Sequence, residues 1–423
     1  MVLSPPRKTR ICFVIDKLAQ RSGGAERVLI DTANALHERG YAVDIVTHEP
    51  RGKAPFYALR KGITLANLRP RNEHRSRLRR GFDRLRSVMH RNRVFVPGFA
   101  RLQWMSQHYG FRARIAAHID ATRPDVVCAF LPPAVTAVGW AKTKHKPRLF
   151  ASLHNVPAQD FENPARWDPN PVDRKLRKKS LERFDGIGTL LPEFVPWFDP
   201  HLRAKVTVLP NASRMQNTDV ATEATREKVV ASVGRLADVK RHDLLIAAWA
   251  QIQHDFPDWR CHIYGVGPLE HRLKAQIANL GLERKVQLCG HTQDIENVYA
   301  TSAILAHPAK FEGFGLVVVE ALAHGLPVVG FEDCTGFNHI VSHEQTGLFV
   351  PSDGDRIADF AAALSQLMTQ PKTRDAMGAA GRVRAADFSA ERVTDLWEHA
   401  LQTSDSADHQ RAPVKIGHAQ WDV

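Results

Sequence analysis

Apolar residues fall along this chain in two kinds of pattern, short unbroken blocks and longer stretches with a helical period. Ile11-Cys12-Phe13-Val14-Ile15, between Arg10 and Asp16, is a block of the first kind and reads as a strand buried on both faces. Ser22-Gly23-Gly24 then breaks the chain, and Ala25, Val28, Leu29, Thr32, Ala33 and Leu36 recur three and four apart, marking one face of a helix. Gly40 ends that helix and Ala42 to Thr47 is the next strand. The opening is therefore a βαβ unit with a glycine-rich turn at the carboxyl end of its first strand. Further blocks follow at Asp125–Phe130, Arg148–Leu153, Gly186–Leu191 and Val206–Leu209.

The stretch from Pro210 to Glu227 is polar, with little periodicity, and reads as a linker. Beyond it the alternation resumes, with strands at Val229–Val233, Cys261–Tyr264, Val286–Leu288, Ile304–Ala306, Val328–Gly330 and Leu348–Val350. Helical patterns lie between them, for example at Asp243–Ile252 and Pro268–Leu280. Strands alternating with helices imply parallel sheets covered on both faces. The expected fold is α/β, two Rossmann-like domains whose parallel sheets face a central cleft. Residues 1–212 would form the first domain, with a basic insertion at 60–115, and residues 213–388 the second. Residues 389–404 are expected as a C-terminal helix placed to pack back on the first domain, and 405–423 as a polar, flexible tail.

Composition changes this picture only in one place. Hydrophobic residues at 43% and charged residues at 24% suit a folded globular chain of 423 residues and argue against extended disorder. The net charge of +13 is local: residues 60–115 hold 15 lysines and arginines against Glu73 and Asp83, an excess equal to that of the whole chain. The five cysteines, Cys12, Cys128, Cys261, Cys289 and Cys334, are scattered beside apolar runs. They read as buried free thiols, neither a disulfide framework nor a zinc site. The first apolar run is too short for a signal peptide, and no run approaches a bilayer-spanning length. A cytoplasmic protein is expected.

The richest chemistry lies in EGFGLVVVEALAHGLPVV, from Glu312 onward. Gly313 and Gly315 allow the backbone close to a ligand, and the helix that follows offers unpaired N–H groups to an anion. Glu320 sits among Val317, Val318, Val319, Ala321 and Leu322, where a carboxylate is costly unless it accepts hydrogen bonds. Sugar hydroxyls are suitable donors. Two glutamates at this spacing can equally be solvated or paired with lysines, so the flanking sequence has to decide.

That flanking sequence resembles glycosyltransferase family 4, of the retaining GT-B class, and in particular its bacterial polysaccharide and lipopolysaccharide enzymes. Glu312 and Glu320 stand where the family's paired glutamates stand. Gly234-Arg235-Leu236 followed by Lys240 resembles its diphosphate-binding Arg and Lys, and Gly265-Val266-Gly267-Pro268-Leu269 its second glycine loop. Thr346 to Val350, Gly23-Gly24-Ala25-Glu26-Arg27 and Pro210-Asn211 complete a set of matches in the family's order, from Ile11 to about Leu401.

The resemblance implies a hexosyltransferase that uses a nucleotide-sugar, a UDP-sugar before a GDP-sugar, with no further cofactor. Arg235 and Lys240 would stabilise charge growing on the β-phosphate, aided by the helix N-terminus near Gly315 and Leu316. Glu320 would hold the ribose, Glu312 the donor sugar, and Gly265, Gly267, Gly313, Phe314 and Gly315 would line the donor site. Gly23 and Gly24 would approach the diphosphate or acceptor from the first domain, the acceptor domain, with His154 as its active-site histidine. No Asp-x-Asp motif is present, and no essential metal is expected. Ala309 stands where the family often has Ser, a change that shifts only a hydrogen bond, and His339 stands where it commonly has Glu, near the donor sugar in relatives, which leaves the sugar open.

The acceptor implied is a glycan or a lipid-linked glycan of cell-surface polysaccharide synthesis. Residues Arg69 to Arg93 carry closely spaced arginines, with Leu78, Phe82, Leu85, Val88 and Met89 on one helical face. Either this segment rests on an anionic membrane surface, placing the protein at the inner face of the membrane, or its apolar face covers its own domain. Nucleic acid is not an expected partner, since no recognition motif accompanies the charge. Two other classes stay open, a nucleotide-sugar-binding protein without catalysis and a membrane-surface scaffold. A dehydrogenase is disfavoured because Gly23-Gly24 is not a GxGxxG fingerprint.

Overall fold

The computed structural model describes residues 8–21, 23–70, 81, 84–85, 87–89, 91–92, 94, 100–213 and 226–402. Most of the arginine-rich segment 69–93, with Leu78 and Phe82, and most of the linker after Pro210 lie outside the described residues. The described residues divide into two compact units, the first running to Leu209 and taking in Thr394 to Gln402, the second running from Pro210 to Val393.

The first unit is built on seven parallel strands. They are β1 (Arg10–Val14), β2 (Ala42–Thr47), β3 (Thr64–Asn67), β4 (Val126–Phe130), β5 (Arg148–Ser152), β6 (Gly186–Thr189) and β7 (Val206–Val208), in the order β3-β2-β1-β4-β5-β6-β7. Its centre, β1 and β4, is closed to solvent on both faces, which is why these strands are unbroken apolar blocks. The strand β3 was not expected. Thr64-Leu65-Ala66-Asn67 pairs on one side only and leaves Thr64 and Leu65 exposed, so an edge position needs no apolar block. The basic stretch 60–115 thus contributes a strand to the sheet. It also begins the helix Ala100–Thr122, which buries Trp104, Phe111, Ile115 and Ile119.

The second unit has six parallel strands: β8 (Val229–Val233), β9 (Arg260–Tyr264), β10 (Val286–Gly290), β11 (Ile304–His307), β12 (Val328–Phe331) and β13 (Gly347–Val350), in the order β10-β9-β8-β11-β12-β13. Its core gathers Leu245, Trp249, Ile263, Ile304, Val329, Phe331, Phe360 and Leu364, drawn from both the sheet and its covering helices. In each unit the strand order reverses direction at a central strand pair, β1–β4 and β8–β11. Loops leaving the carboxyl ends there diverge and leave a crevice, the usual ligand position in such sheets.

The helix Ala390–Leu401 carries Trp397, 1% exposed, into the core of the first unit. Its ring stacks on Phe130 at 5.8 Å between centroids and meets Phe13 edge-on at 6.5 Å. Arg39 anchors the same helix through Asp395 and Glu398, and Arg148 Nη2 donates to the Ala400 carbonyl. Cys12, Cys128, Cys261 and Cys334 are buried free thiols, whereas Cys289 is half-buried at the end of the outer strand β10.

Candidate functional site

The second unit assembles its candidate site from the loops that leave β8, β9 and β11. After β8 the chain passes Gly234, exposed Arg235 and buried Leu236, then makes a single 3-10 turn over Asp238–Lys240. The Lys240 stem runs back over Gly234, where a Cβ would meet its methylenes at 3.3 Å. Its Nζ bonds to Glu312 Oε1, 72 residues on, and the side chains of this pair are 18% and 17% exposed. Burial opposes ionisation of Glu312, yet the Lys240 charge, His307 and the Lys240 hydrogen bond together hold its carboxyl below the ordinary value.

Two histidines lie beneath this pair, and the sequence pattern did not single out either. His307, the last residue of β11, places Nε2 3.4 Å from Glu312 Oε1 and is 3% exposed. His242, equally buried, faces Ser232 Oγ across 3.4 Å through Nδ1. Burial pushes both down to about 4, so both are neutral imidazoles near neutral pH. The one available signal was a histidine ending an apolar strand block, and that is more often a core residue than a site residue.

Glycines Gly265 and Gly267 serve the packing of the loops themselves. A Cβ on Gly265, at φ +149°, would sit 1.9 Å from the Gly234 carbonyl oxygen, and one on Gly267 would sit 2.3 Å from that of Leu236. The loops are tied by Gly234 N–H to the Tyr264 carbonyl and Leu236 N–H to the Val266 carbonyl. Gly315 adopts φ +96° and caps the helix Leu316–Ala323, whose Val318 and Val319 N–H groups donate back to the Gly315 carbonyl. Gly313 and Leu316 are half-buried beside it. The Phe314 side chain is buried, the residue being 2% exposed, and meets Phe388 edge-on at 5.3 Å. Gly336 lets the next helix, Thr335–Ile340, close on this loop, since a Cβ there would meet Glu312 Cβ and the Phe314 carbonyl oxygen at 2.7 Å. His339 lies on that helix.

Glu320 is 6% exposed, and its Oε2 accepts a hydrogen bond from the Tyr299 hydroxyl at 3.0 Å. The apolar surroundings read from the sequence are real, and the carboxylate's need for a donor is met in part from within the fold. Tyr299, on the helix Ile295–Thr301, is a third residue that local pattern could not supply, because it lies 21 positions away on another element.

The first unit carries its own candidates. Gly23 and Gly24 are exposed, Gly23 preceding the helix Gly24–Glu38, where its missing side chain leaves room for Glu26 Oε2. His154 follows β5, half-buried, with Nε2 2.7 Å from Ser152 Oγ and its ring stacked on Phe130 at 4.5 Å and 17°. The aromatic column thus runs Trp397, Phe130, His154.

A separate cluster joins His108, Asp168 and Asp173, the one group among the described residues with donor atoms close enough for a metal ion. His108 Nε2 lies 3.6 Å from Asp168 Oδ2 and 3.4 Å from Asp173 Oδ1. Those same oxygens already accept from Gln107 Nε2 and Trp104 Nε1, both at 2.7 Å, and Arg177 lies 3.4 Å from the other Asp173 oxygen. Burial opposes protonation of His108, but the facing carboxylates of Asp168 and Asp173 outweigh that and raise its pKa. With Arg177 beside Asp173, these groups tie the helices Ala100–Thr122 and Pro171–Ser180 together.

Comparison with known proteins places both halves of the chain among glycosyltransferase families. Residues 22–212 match the family described as Glycosyltransferase Family 4, and residues 214–384 the one described as Glycosyl transferases group 1. An uncharacterized glycosyltransferase of Haemophilus influenzae is 31% identical over 174 residues, 41% of this chain and 49% of that protein. The N-acetylgalactosamine-N,N'-diacetylbacillosaminyl-diphospho-undecaprenol 4-alpha-N-acetylgalactosaminyltransferase of Campylobacter jejuni is 31% identical over 192 residues, 45% of this chain and 51% of that one. The chain spans about half the length, or less, of such curated relatives. Among solved structures, Anabaena HepE in complex with UDP and glucose aligns with TM-score 0.67 at 18% identity, covering 93% of this chain and 99% of that one. The lipopolysaccharide outer core galactosyltransferase WaaB aligns with TM-score 0.66 at 16% identity, covering 93% and 99%. These likenesses carry the fold, which is GT-B.

Proposed function

The chain belongs to glycosyltransferase family 4, and from that premise we propose that it transfers a hexosyl group, with retention, from a UDP-sugar to a glycan or lipid-linked acceptor of cell-surface polysaccharide. The observation that carries this is the assembly at the carboxyl ends of β8 and β11. There a cation, Lys240, two carboxylates, Glu312 and Glu320, and the N-terminus of the helix Leu316–Ala323 come from two loops and one helix of one unit. A departing nucleoside diphosphate needs positive charge at its β-phosphate, and Lys240, exposed Arg235 and the helix dipole supply it without a metal ion. Glu320, oriented by Tyr299, would take the ribose hydroxyls, and Glu312 the hydroxyls of the sugar. His154 would act on the acceptor side.

Exposed apolar residues in and beside the basic stretch suit a second contact. Leu102, Met105 and Tyr109 lie 57%, 42% and 60% exposed at helical spacing, and Leu85 and Val88 are 60% and 49% exposed. Apolar side chains amid local positive charge suit an anionic bilayer surface, where each near-surface cation adds about 1 kcal/mol. Among the described residues no helix is long and apolar enough to cross a membrane.

The test is UDP or GDP release from a panel of UDP- and GDP-sugars, with and without EDTA, beside thermal shift with each nucleotide. Slow release from one UDP-sugar, unchanged by EDTA, is the expected result. Nucleotide binding without release would indicate a protein that has lost catalysis, and neither would leave a membrane-surface scaffold. Liposome sedimentation of the full chain and of a variant lacking residues 69–93 separates that last case.

A further inference from the structure

We propose that His307 is a positioning residue for Glu312, holding its carboxylate in place when Lys240 turns to the diphosphate of the donor. The inference rests on the reading above in taking Lys240 as the phosphate cation and Glu312 as the sugar contact.

The geometry is a shared oxygen. Lys240 Nζ and His307 Nε2 both face Glu312 Oε1. One of them sits on a flexible four-carbon stem that leaves a single 3-10 turn. The other ends a central strand, and its ring is stacked on buried Phe337 at 5.9 Å and 10°. Phe337 is itself packed over Gly330, where a Cβ would lie 2.7 Å from its ring, so the imidazole has little room to swing.

A diphosphate arriving beside Lys240 competes with Glu312 for the ammonium. Lysine can move and the histidine cannot. Once Lys240 leaves, the buried carboxylate has lost its counter-charge, and an unpaired acid there would protonate or turn away. His307 Nε2 has no other hydrogen-bond partner and lies 3.4 Å from the oxygen. Such contacts tighten when a ligand completes a site. A neutral imidazole facing a carboxylate donates, which selects the Nε2–H tautomer. His307 thus keeps Glu312 ionised and aimed while its first partner is occupied elsewhere.

Two substitutions in the full chain separate this from a packing role. His307→Gln keeps an N–H at similar reach, and His307→Leu fills the space with no donor. UMP, which has neither a β-phosphate to draw Lys240 away nor a sugar for Glu312, should bind wild type and both variants with Kd values within about threefold, confirming an intact fold and nucleoside site. Release of UDP from whichever of UDP-glucose, UDP-galactose and UDP-N-acetylglucosamine the wild type uses should fall roughly 10- to 100-fold in kcat/KM for His307→Leu, the range for one hydrogen bond to a charged group. His307→Gln should recover most of that loss. The acidic limb of the kcat/KM profile should move to higher pH in His307→Leu alone, because Glu312 then ionises less readily.

Equal loss in both variants, or an unmoved acidic limb, would overturn the assignment. Failure of the wild type to bind UDP would refute the transferase reading instead. The His307 contact remains measurable in that case: nitrogen chemical shifts of the free protein should show a neutral Nε2–H imidazole, and an Nδ1–H tautomer would refute it.

Discussion

Acidification should weaken the second unit through the two imidazoles beneath its site, and the effect can be worked from their burial. His242 and His307 are each 3% exposed and are pushed down to about 4 by that burial. In the unfolded chain a histidine titrates near 6.5. Between these values the unfolded state binds the extra proton, so stability is fully present above about pH 6.5 and is lost as pH falls toward 4. Each tenfold difference in proton affinity between the two states corresponds to about 1.4 kcal/mol, so each histidine contributes about 2 kcal/mol of loss by pH 5. Together they account for about 4 kcal/mol, a large part of the 5–15 kcal/mol typical of a domain. The measurement is urea unfolding of the full chain at about pH 7, 6 and 5, followed by tryptophan fluorescence, with Trp249 and Trp259 reporting from the second unit's core. The comparison chain carries His242→Asn and His307→Gln, which remove both titrations. Wild type should lose about 4 kcal/mol more than this variant between pH 7 and 5. An identical fall in the two chains would refute the reasoning and place the acid sensitivity elsewhere.

Lys240→Ala should lower UDP-sugar turnover by roughly 10²- to 10³-fold, the usual cost of one group opposing transition-state charge, read by UDP release. Glu320→Ala should weaken UDP binding by at least about tenfold in a calorimetric titration, and Tyr299→Phe less, since it removes one charge-assisted donor and keeps the carboxylate. Normal values for both Lys240→Ala and Glu320→Ala would sink the site assignment. For His108, whose folded pKa is raised, the stabilisation is complete below the unfolded value near 6.5 and fades as pH rises through the folded value. The melting-temperature gap between wild type and His108→Gln should therefore be wide near pH 6 and narrow at alkaline pH, and a gap independent of pH would remove the imidazolium. Trp397→Ala should destabilise the first unit by about 3–5 kcal/mol in denaturant, as for other buried aromatic truncations, and disorder the His154 ring.

Much of the architecture was legible because of how parallel sheets are buried. Strands such as β4 and β11, covered on both faces, must be apolar at every position, so they appear as blocks whatever the tertiary context. β3 escaped notice for the converse reason, since it pairs with β2 alone and can be Thr-Leu-Ala-Asn. The helix Ala100–Thr122 hid within a stretch conspicuous for its arginines, and it is apolar on its buried side and partly so on its exposed one.

Local sequence determined the elements, their alternation, the glycines that loops at strand ends require, and which carboxylates and cations were candidates for a nucleotide-sugar. It could do so because backbone period, turn chemistry and family motifs are properties of neighbouring residues. Only the tertiary structure decided the partners: Lys240 and His307 on one oxygen of Glu312, Tyr299 on Glu320, and Trp397 beneath Phe130 and His154. It also placed Thr394 to Gln402 with the first unit. These contacts join residues from five to more than two hundred positions apart. Their energies come from burial, charge and stacking in a low-dielectric interior, and these exist only once the sheets have brought the loops together.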